Sequence, residues 1–310
     1  MLEKPTCPER AEAAQFLESM RENFDPSESL GANFLILMEK LVPQLANNQT
    51  LLWNVYAQVY LKLNLLRPYR ELQETIIDCL DIELDQNLKI VNLGCGSANL
   101  ELELAKKGKT QGNHFHCVDN SAAMIAEARR NFPAGTYYQK DLTAGVPFIG
   151  NKSADRVVCA NMLGFLEKEK ATELLKEIQR ILRPLGKVVL TTQKKGANPG
   201  KILAAHSQQD CSGIDANDPQ NFPHLLNLAF DESSEETKKD VLTVSSCTLA
   251  TTLHNRGQVA FTPNESEIRS IFKEAGFQDI RVRPTYADQF HLIEAVPSNP
   301  TRSKIARVCQ

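Results

Sequence analysis

The fold of this chain is decided by Lys89-Ile90-Val91-Asn92-Leu93-Gly94-Cys95-Gly96-Ser97-Ala98-Asn99-Leu100. A β-branched run ends in Gly-x-Gly and continues into a helical pattern of leucines, which predicts a strand, a tight turn and a helix. Glycines let the backbone approach a ligand closely, and the unpaired amides at a helix start offer hydrogen-bond donors. The stretch therefore predicts a nucleotide-binding turn, although Gly-x-Gly alone is a weak signal.

An acidic residue beyond the turn strengthens this prediction. Asp119 ends the strand-like run His114 to Val118 and lies 23 residues after Gly96. A carboxylate about 20 residues beyond such glycines, at the tip of the next strand, is where a ribose diol is held. The turn and Asp119 together predict a bound nucleoside.

Two further positions separate the candidate cofactors. A dinucleotide site has a third glycine, which lets helix and strand pack closely beside the pyrophosphate, but Asn99 stands at that position here. The next predicted strand ends in Asp141 and Leu142, an acidic residue and an apolar neighbour suited to an adenine edge. Both features disfavour a nicotinamide-dependent oxidoreductase, which has the same kind of fold.

The order of these motifs resembles the class I S-adenosylmethionine-dependent methyltransferases, in particular those acting on small molecules. The resemblance continues through a fourth strand, Asp155 to Asn161, a helix, Lys170 to Leu182, and a fifth strand, Val188 to Thr192. It covers roughly residues 65–296, with 193–259 as a variable insertion.

The resemblance has two departures. The family usually has an acidic residue where this chain has Asn92, and a glycine where it has Ala98. Asn92 can exchange hydrogen bonds, but it offers no charge to the ammonium group of the cofactor. Both departures motivate an alternative function, a cofactor-binding module without turnover.

The resemblance implies an α/β fold with a doubly wound, seven-stranded, mostly parallel sheet. The last two strands, Ile280 to Arg283 and Phe290 to Ala295, would form an antiparallel hairpin. The implied cofactor is S-adenosyl-L-methionine, and no metal is expected. The positions expected to bind the cofactor are Asn92, Gly94, Cys95, Gly96, Asn99, Asp119, Asn120, Met124, Asp141, Leu142, Asn161 and Met162.

The chain divides by pattern into five regions. We expect an N-terminal helical cap at 1–84, the cofactor-binding half of the core at 85–192, a helical lid insertion at 193–259, the C-terminal helix and hairpin of the core at 260–296, and a tail at 297–310. The insertion, about 65 residues long, exceeds a bare loop, and Phe222 to Phe230 has helical spacing. It follows a strand end, where ligands bind in such sheets, so it is a candidate lid.

Catalytic residues are harder to name, because the family transfers its methyl group by in-line displacement and needs no universal dyad. If the acceptor needs a general base, the candidates are Tyr56, Tyr60, His224 and His254. The sequence offers three further candidates for such a base, His206, His291 and Tyr286. Tyr56 and Tyr60 lie one helical turn apart near Trp53, a stripe that is more often core than pocket wall.

Composition favours a cytoplasmic enzyme with a small-molecule acceptor. The 310 residues carry a net charge of −3, so there is no general basic field for nucleic acid. No run reaches the roughly 18 apolar residues of a membrane span, and the eight cysteines lack zinc-site spacing and are expected to be reduced core thiols. Methylation of RNA or protein is the alternative activity, and the oligomeric state stays open.

Overall fold

A computed structural model gives the structure of residues 8–207, 209–254 and 261–298. The seven strands of these ranges form one sheet in the order β3-β2-β1-β4-β5-β7-β6. Their bounds are β1 Lys89–Leu93, β2 His114–Asp119, β3 Thr136–Gln139, β4 Ala154–Cys159, β5 Leu182–Gln193, β6 Phe277–Thr285 and β7 Phe290–Pro297.

The sheet is doubly wound. Strands β1 to β5 run parallel, and β7 is antiparallel to both β5 and β6. The strand order reverses between β1 and β4, so their carboxyl ends flank a crevice of the kind that binds ligands in open α/β sheets. The predicted fold class and the C-terminal hairpin are confirmed.

Twelve α-helices lie in the described ranges. They are α1 Pro8–Glu22, α2 Leu30–Lys40, α3 Val42–Asn47, α4 Gln49–Val59, α5 Arg67–Leu80, α6 Asn99–Lys106, α7 Ala122–Asn131, α8 Lys168–Ile181, α9 Pro199–His206, α10 Phe222–Phe230, α11 Glu235–His254 and α12 Glu265–Glu274. A 3₁₀ turn, Tyr60–Leu65, joins α4 to α5.

The sheet separates two apolar clusters. Helices α8 and α12 cover one face, where Val91 and Leu93 of β1 pack with Leu174 and Phe272. The other face packs against α5, α6 and α7, and this cluster continues without a break into α1–α4 and α9–α11. We call α1–α4 and α9–α11 together the helical layer.

The helical layer joins two distant parts of the sequence. Helix α10 packs on α2, and α11 packs on α3 and α4. The sequence pattern places α10 at its observed bounds but gives no helix for α11. Small polar residues such as Thr243 and Ser246 are buried among the apolar residues of α11, so this helix lacks the one-sided apolar stripe on which sequence patterns depend.

The start of α12 differs from its predicted position by two residues. The sequence suggests a capping box from Thr262 to Glu265, but the observed cap is Asn264, whose side chain accepts from the Glu267 amide. The Glu267 carboxylate in turn accepts from the Asn264 amide at 2.9 Å. Asn is as good a cap as Thr, so either register satisfies the sequence rule.

Candidate active site

The glycine turn after β1 depends on two left-handed residues. Gly94 has a φ of +76° and Gly96 a φ of +53°. A Cβ added to Gly94 would lie 2.8 Å from Met162 Cγ, and one added to Gly96 would lie 3.3 Å from Tyr60 Cε1. The amides of Gly94 and Cys95 both donate to the Val118 carbonyl, so backbone hydrogen bonds hold the turn against the end of β2.

Asp119 is tied to the same turn. Its two carboxylate oxygens accept from the Gly96 amide at 3.0 Å and from the Ser121 amide at 2.9 Å. Each oxygen keeps a second lone pair, which suits the two hydroxyls of a ribose. Burial raises the pKa of Asp119, although both amide hydrogen bonds favour the carboxylate.

The ends of β3 and β4 supply the next part of the site. Asp141 caps a 3₁₀ turn by accepting from the Thr143 amide at 2.9 Å, and Leu142 behind it is buried. Asn161, after β4, has a φ of +56°. Its amide donates to the Thr191 hydroxyl at 2.9 Å, and that hydroxyl donates back to Asn161 Oδ1 at 2.7 Å.

A cavity of about 480 Å³ joins these strand ends to the helical layer, a volume within the range of small-molecule pockets. Most residues predicted to bind the cofactor line it: Gly94, Gly96, Asp119, Asn120, Met124, Asp141, Leu142, Asn161 and Met162. Helix α11 contributes Thr248 and Thr251 to the same cavity.

One side of the cavity is built from aromatic rings, which we call the aromatic wall. Tyr56 stacks edge-on against Tyr60 with centroids 5.1 Å apart, and Tyr286 lies 6.0 Å from Tyr69 and 5.2 Å from Phe290. The wall consists of Trp53, Tyr56, Tyr60, Tyr69, Phe165, Tyr286 and Phe290. Four separate segments of the chain provide it, so tertiary structure alone assembles it.

Comparison with known proteins identifies the sheet that carries this site. Residues 90–186 match the model of a methyltransferase domain family. The chain contains a class I S-adenosylmethionine-dependent methyltransferase domain. S-adenosylmethionine is therefore the cofactor of this domain, as the strand-end motifs predict.

Relatives of the methyltransferase domain include carboxy-S-adenosyl-L-methionine synthase of Yersinia pestis (strain Pestoides F), 33% identical over 163 residues. The protein of the same name from Yersinia pseudotuberculosis serotype O:1b has the same identity. This match covers 50% of the chain and 61% of the relative, so the chain spans about three fifths of the curated relatives' length. The solved structure of a possible exported protein from Bordetella parapertussis shares the fold, with a TM-score of 0.56 and 16% identity over 96% of this chain and 100% of that one.

Beneath the glycine turn, the methyltransferase domain has a carboxylate in an unusual place. Asn92, where the family usually has an acid, donates from Nδ2 to Glu101 Oε1 at 2.7 Å, and Cys117 Sγ lies 3.4 Å from the same oxygen. Glu101 is buried, and burial raises its pKa. A buried carboxylate therefore lies beside Asn92, but it belongs to α6 and not to the end of β1.

Asn99 anchors the aromatic wall. Its Nδ2 group donates to the Tyr69 hydroxyl at 3.1 Å, and its Oδ1 accepts from the Ser97 hydroxyl at 2.9 Å. Asn92, Cys95 and Asn99 are buried and do not line the cavity. Their contact with the cofactor therefore stays a prediction, and Asn99 has a structural task that the sequence pattern does not reveal.

The candidate bases differ in position. Tyr56 and Tyr60 line the cavity of the methyltransferase domain, but His224 is exposed on α10 and lies outside the cavity, so its position does not support a catalytic role. His254 ends α11, and its side chain lies outside the described residues. His206 Nδ1 accepts from the Arg67 amide at 3.0 Å.

The cavity phenols are held as neutral groups. Burial raises the pKa of Tyr56, Tyr60, Tyr69 and Tyr286. The Thr248 hydroxyl donates to the Val244 carbonyl at 2.8 Å, so it accepts from Tyr56 across their 3.1 Å contact. The Tyr56 hydroxyl therefore donates a hydrogen bond to α11.

Two kinds of feature are absent from the described ranges. These ranges contain no cluster of three His, Cys, Asp or Glu side chains that could hold a metal ion. None of the helices in the described part of the chain is long and apolar enough to cross a membrane.

Proposed function

We propose that this protein transfers the methyl group of S-adenosylmethionine to a nitrogen or oxygen atom of a small-molecule acceptor. The observation that carries the proposal is the single cavity that joins the cofactor end of the sheet to the aromatic wall. A cofactor and an acceptor in one such space can be held with the reacting atoms in line, which is the main requirement of this reaction.

Different residues would bind the cofactor and the acceptor at the two ends of the cavity. Asp119 would accept hydrogen bonds from the ribose hydroxyls, while Asp141 and Leu142 would hold the adenine. Gly94 and Gly96 leave room for the backbone to approach the rest of the cofactor, which supplies an electrophilic methyl group when bound. The aromatic wall would exclude water from that methyl group and position the acceptor.

The helical layer would act as the cover of the acceptor. Helices α4 and α11 both reach the cavity, and α11 belongs to the long insertion after β5. We propose that the insertion 193–259 is a lid and that 1–84 is a cap packed against it in the same layer. An acceptor covered in this way is compact, which favours a small molecule over RNA or a protein.

Calorimetry on the full chain tests the cofactor site. We expect S-adenosylhomocysteine to bind and NAD to bind far more weakly, and Asp119→Ala to weaken the former roughly ten- to a hundredfold, or about 1.5 to 3 kcal/mol, since charge-assisted hydrogen bonds are lost. Asp78→Ala, an exposed aspartate on α5, is the matched control. Preference for NAD would overturn the assignment.

Turnover separates an enzyme from a cofactor-binding module. With S-adenosylmethionine carrying an isotope-labelled methyl group and a panel of amines and alcohols, the label should appear in an acceptor product. Tight binding of the cofactor without any label transfer across the panel would instead favour a binding module.

The curated relatives suggest a second candidate, the synthesis of carboxy-S-adenosyl-L-methionine. A carboxylate beside the sulfonium would call for a cationic partner. Among the described residues lining the cavity, Lys140 is the one cation, and it adjoins Asp141 at the proposed adenine end. Mass spectrometry of the cofactor after incubation with a panel of carboxylic acids as carboxyl donors decides between the two, since a carboxylated cofactor would replace the methylation proposal.

A further inference from the structure

The described lining of the cavity lacks a group that could take a proton from a hydroxyl acceptor at neutral pH. It contains no histidine or cysteine, and its carboxylates, Asp119 and Asp141, both accept backbone amides at the cofactor end. The Tyr56 hydroxyl already donates a hydrogen bond to the Thr248 hydroxyl. An acceptor placed here must therefore be nucleophilic in its own right, as an amine with a free lone pair is.

The opposite property, affinity for a cation, is built into the cavity. The faces of Trp, Tyr and Phe rings attract positive charge, most strongly where water is excluded. Neighbouring rings of the aromatic wall lie 5.1 to 6.4 Å apart between centroids, so a compact ammonium group in the cavity against this wall could lie within about 6 Å of more than one ring.

The turn between β6 and β7 supports a functional interpretation of the wall. Tyr286, Ala287 and Asp288 all have φ values between +52° and +61°. Non-glycine residues pay for such a conformation, and an observed outlier of this kind is a reason to suspect function. Gln289 holds the turn, with Nε2 donating to the Ala287 carbonyl at 2.9 Å and Oε1 accepting from the Asn198 amide at 2.8 Å. The turn places the Tyr286 ring on the cavity wall.

We propose that the acceptor atom is an amine nitrogen and that the aromatic wall binds the ammonium product. This rests on the proposed function and specifies its substrate class. The nitrogen lone pair forms the new bond to the methyl carbon while the carbon–sulfur bond breaks and its electrons return to sulfur. A primary or secondary amine then loses its proton to water, and a tertiary amine becomes a quaternary ammonium without losing one.

A pair of probes of nearly equal shape tests the wall without turnover. Benzyltrimethylammonium is a cation, and neopentylbenzene is its neutral counterpart with carbon in place of nitrogen. In calorimetry on the protein saturated with S-adenosylhomocysteine, we expect the cation to bind at least tenfold more tightly. Equal affinity, tighter binding of the neutral probe, or binding of neither would overturn the proposal.

Variants locate the effect. Trp53→Leu and Tyr286→Leu should each reduce the preference for the cation severalfold, whereas Tyr286→Phe should keep it, since phenylalanine retains the ring face. Tyr138→Leu, at a tyrosine outside the cavity lining, is the matched control. A purely structural role would lower the affinity for both probes equally, so an unchanged ratio in both leucine variants would contradict the proposal.

The turnover arm compares N-methylbenzylamine with benzyl alcohol. We expect methylation of the amine alone, with a rate that rises with pH as the amine loses its proton. Methylation of the alcohol alone would overturn the amine assignment but leave methyl transfer intact. Failure to bind S-adenosylhomocysteine at all would instead overturn the proposed function itself.

Discussion

The cofactor end and the acceptor end of the cavity are held by different kinds of contact. At the cofactor end, backbone amides fix the polar groups: Asp119 accepts from Gly96 and Ser121, and Asp141 accepts from Thr143. These contacts are local or join adjacent strand ends. They form wherever the strand–turn–helix pattern forms, and for this reason motifs in the sequence predict them.

At the acceptor end, side chains from remote segments hold the helical layer together. Asp240 on α11 binds Arg21 of α1 at 2.7 Å and Lys62 of the 3₁₀ turn at 2.5 Å. Tyr56 binds Thr248 across 192 positions of sequence. The two ends of one cavity can therefore be perturbed separately, because different interactions build them.

The largest effect is expected from Gly94→Ala, at the cofactor end. The left-handed backbone costs an alanine about 1 to 2 kcal/mol, and its Cβ would meet Met162 at 2.8 Å. We expect S-adenosylhomocysteine affinity in calorimetry to fall by roughly a hundredfold, about 3 kcal/mol in all.

Gly108→Ala is the matched control, since Gly108 also has a positive φ, +70°, but a Cβ there would meet nothing within 4 Å. It should lower the free energy of unfolding and leave the affinity unchanged. Equal losses of affinity in both variants would show that backbone strain, and not the close approach of Met162, governs this end of the cavity.

Asp240→Asn should loosen the acceptor end alone. The change leaves Arg21 and Lys62 facing each other without a carboxylate, and we expect unfolding to become easier by about 1 to 2 kcal/mol, less than for a fully buried pair since both cations are partly exposed. Hydrogen exchange should quicken in α11 and stay unchanged in β1 and β2.

Glu236→Gln provides the comparison for that variant, because Glu236 binds the same Arg21 at 2.9 Å from a much more exposed position. Its effect should be under about 0.5 kcal/mol. Faster exchange in β1 and β2 of the Asp240 variant would mean that the two ends of the cavity are coupled.

Glu101→Gln tests the buried carboxylate under the glycine turn through the pH dependence of the protein's stability. Burial raises the pKa of Glu101 above its ordinary value of 4.5 in the folded protein, so the folded state binds the proton more tightly than the unfolded state does. The contribution of Glu101 to the stability of the wild type should therefore be fully present at low pH and decrease as pH rises from 4.5 through the folded pKa.

The glutamine variant should lack this part of the decrease, as read from chemical denaturation at several pH values. Glu103→Gln, on the same helix and bonded to Lys106, should retain it. If the wild type and Glu101→Gln follow parallel stability curves, Glu101 does not titrate in this range and the interpretation of the buried site is wrong.

The smallest effect is expected at Ala98, where the family usually has glycine. Ala98 has a φ of +65°, so Ala98→Gly relieves left-handed strain of about 1 to 2 kcal/mol but adds unfolded-state entropy worth about 0.5 to 1 kcal/mol. Thermal unfolding should show a net gain of roughly 0.5 kcal/mol. Ala105→Gly, inside α6, should lose about 1 kcal/mol instead, and a loss at Ala98 too would contradict the strain argument.

Much of the fold was predictable because its signals are local. Several parallel strands contain a short apolar run, such as Ile90-Val91 in β1 and Val157-Val158 in β4, and α10 has helical spacing over its whole observed length. Helix α11 was missed for a physical reason: it is contacted on several sides, so Ser246 and Cys247 are both fully buried and no apolar face stands out. The start of α12 was misplaced because Thr262 and Asn264 are both competent caps.

The sheet, its cofactor and the strand-end residues that line the cavity could be predicted from the sequence, because a strand, a glycine turn and the carboxylate of the next strand are fixed by short-range geometry. Tertiary packing was needed to show that Asn99 anchors Tyr69, that Glu101 lies against Asn92, and that Tyr286 joins Tyr56 and Tyr60 in one wall. These contacts join segments between 9 and more than 200 positions apart in the sequence, and the packing of whole helices against the sheet brings them together. No pattern within a single element encodes that packing.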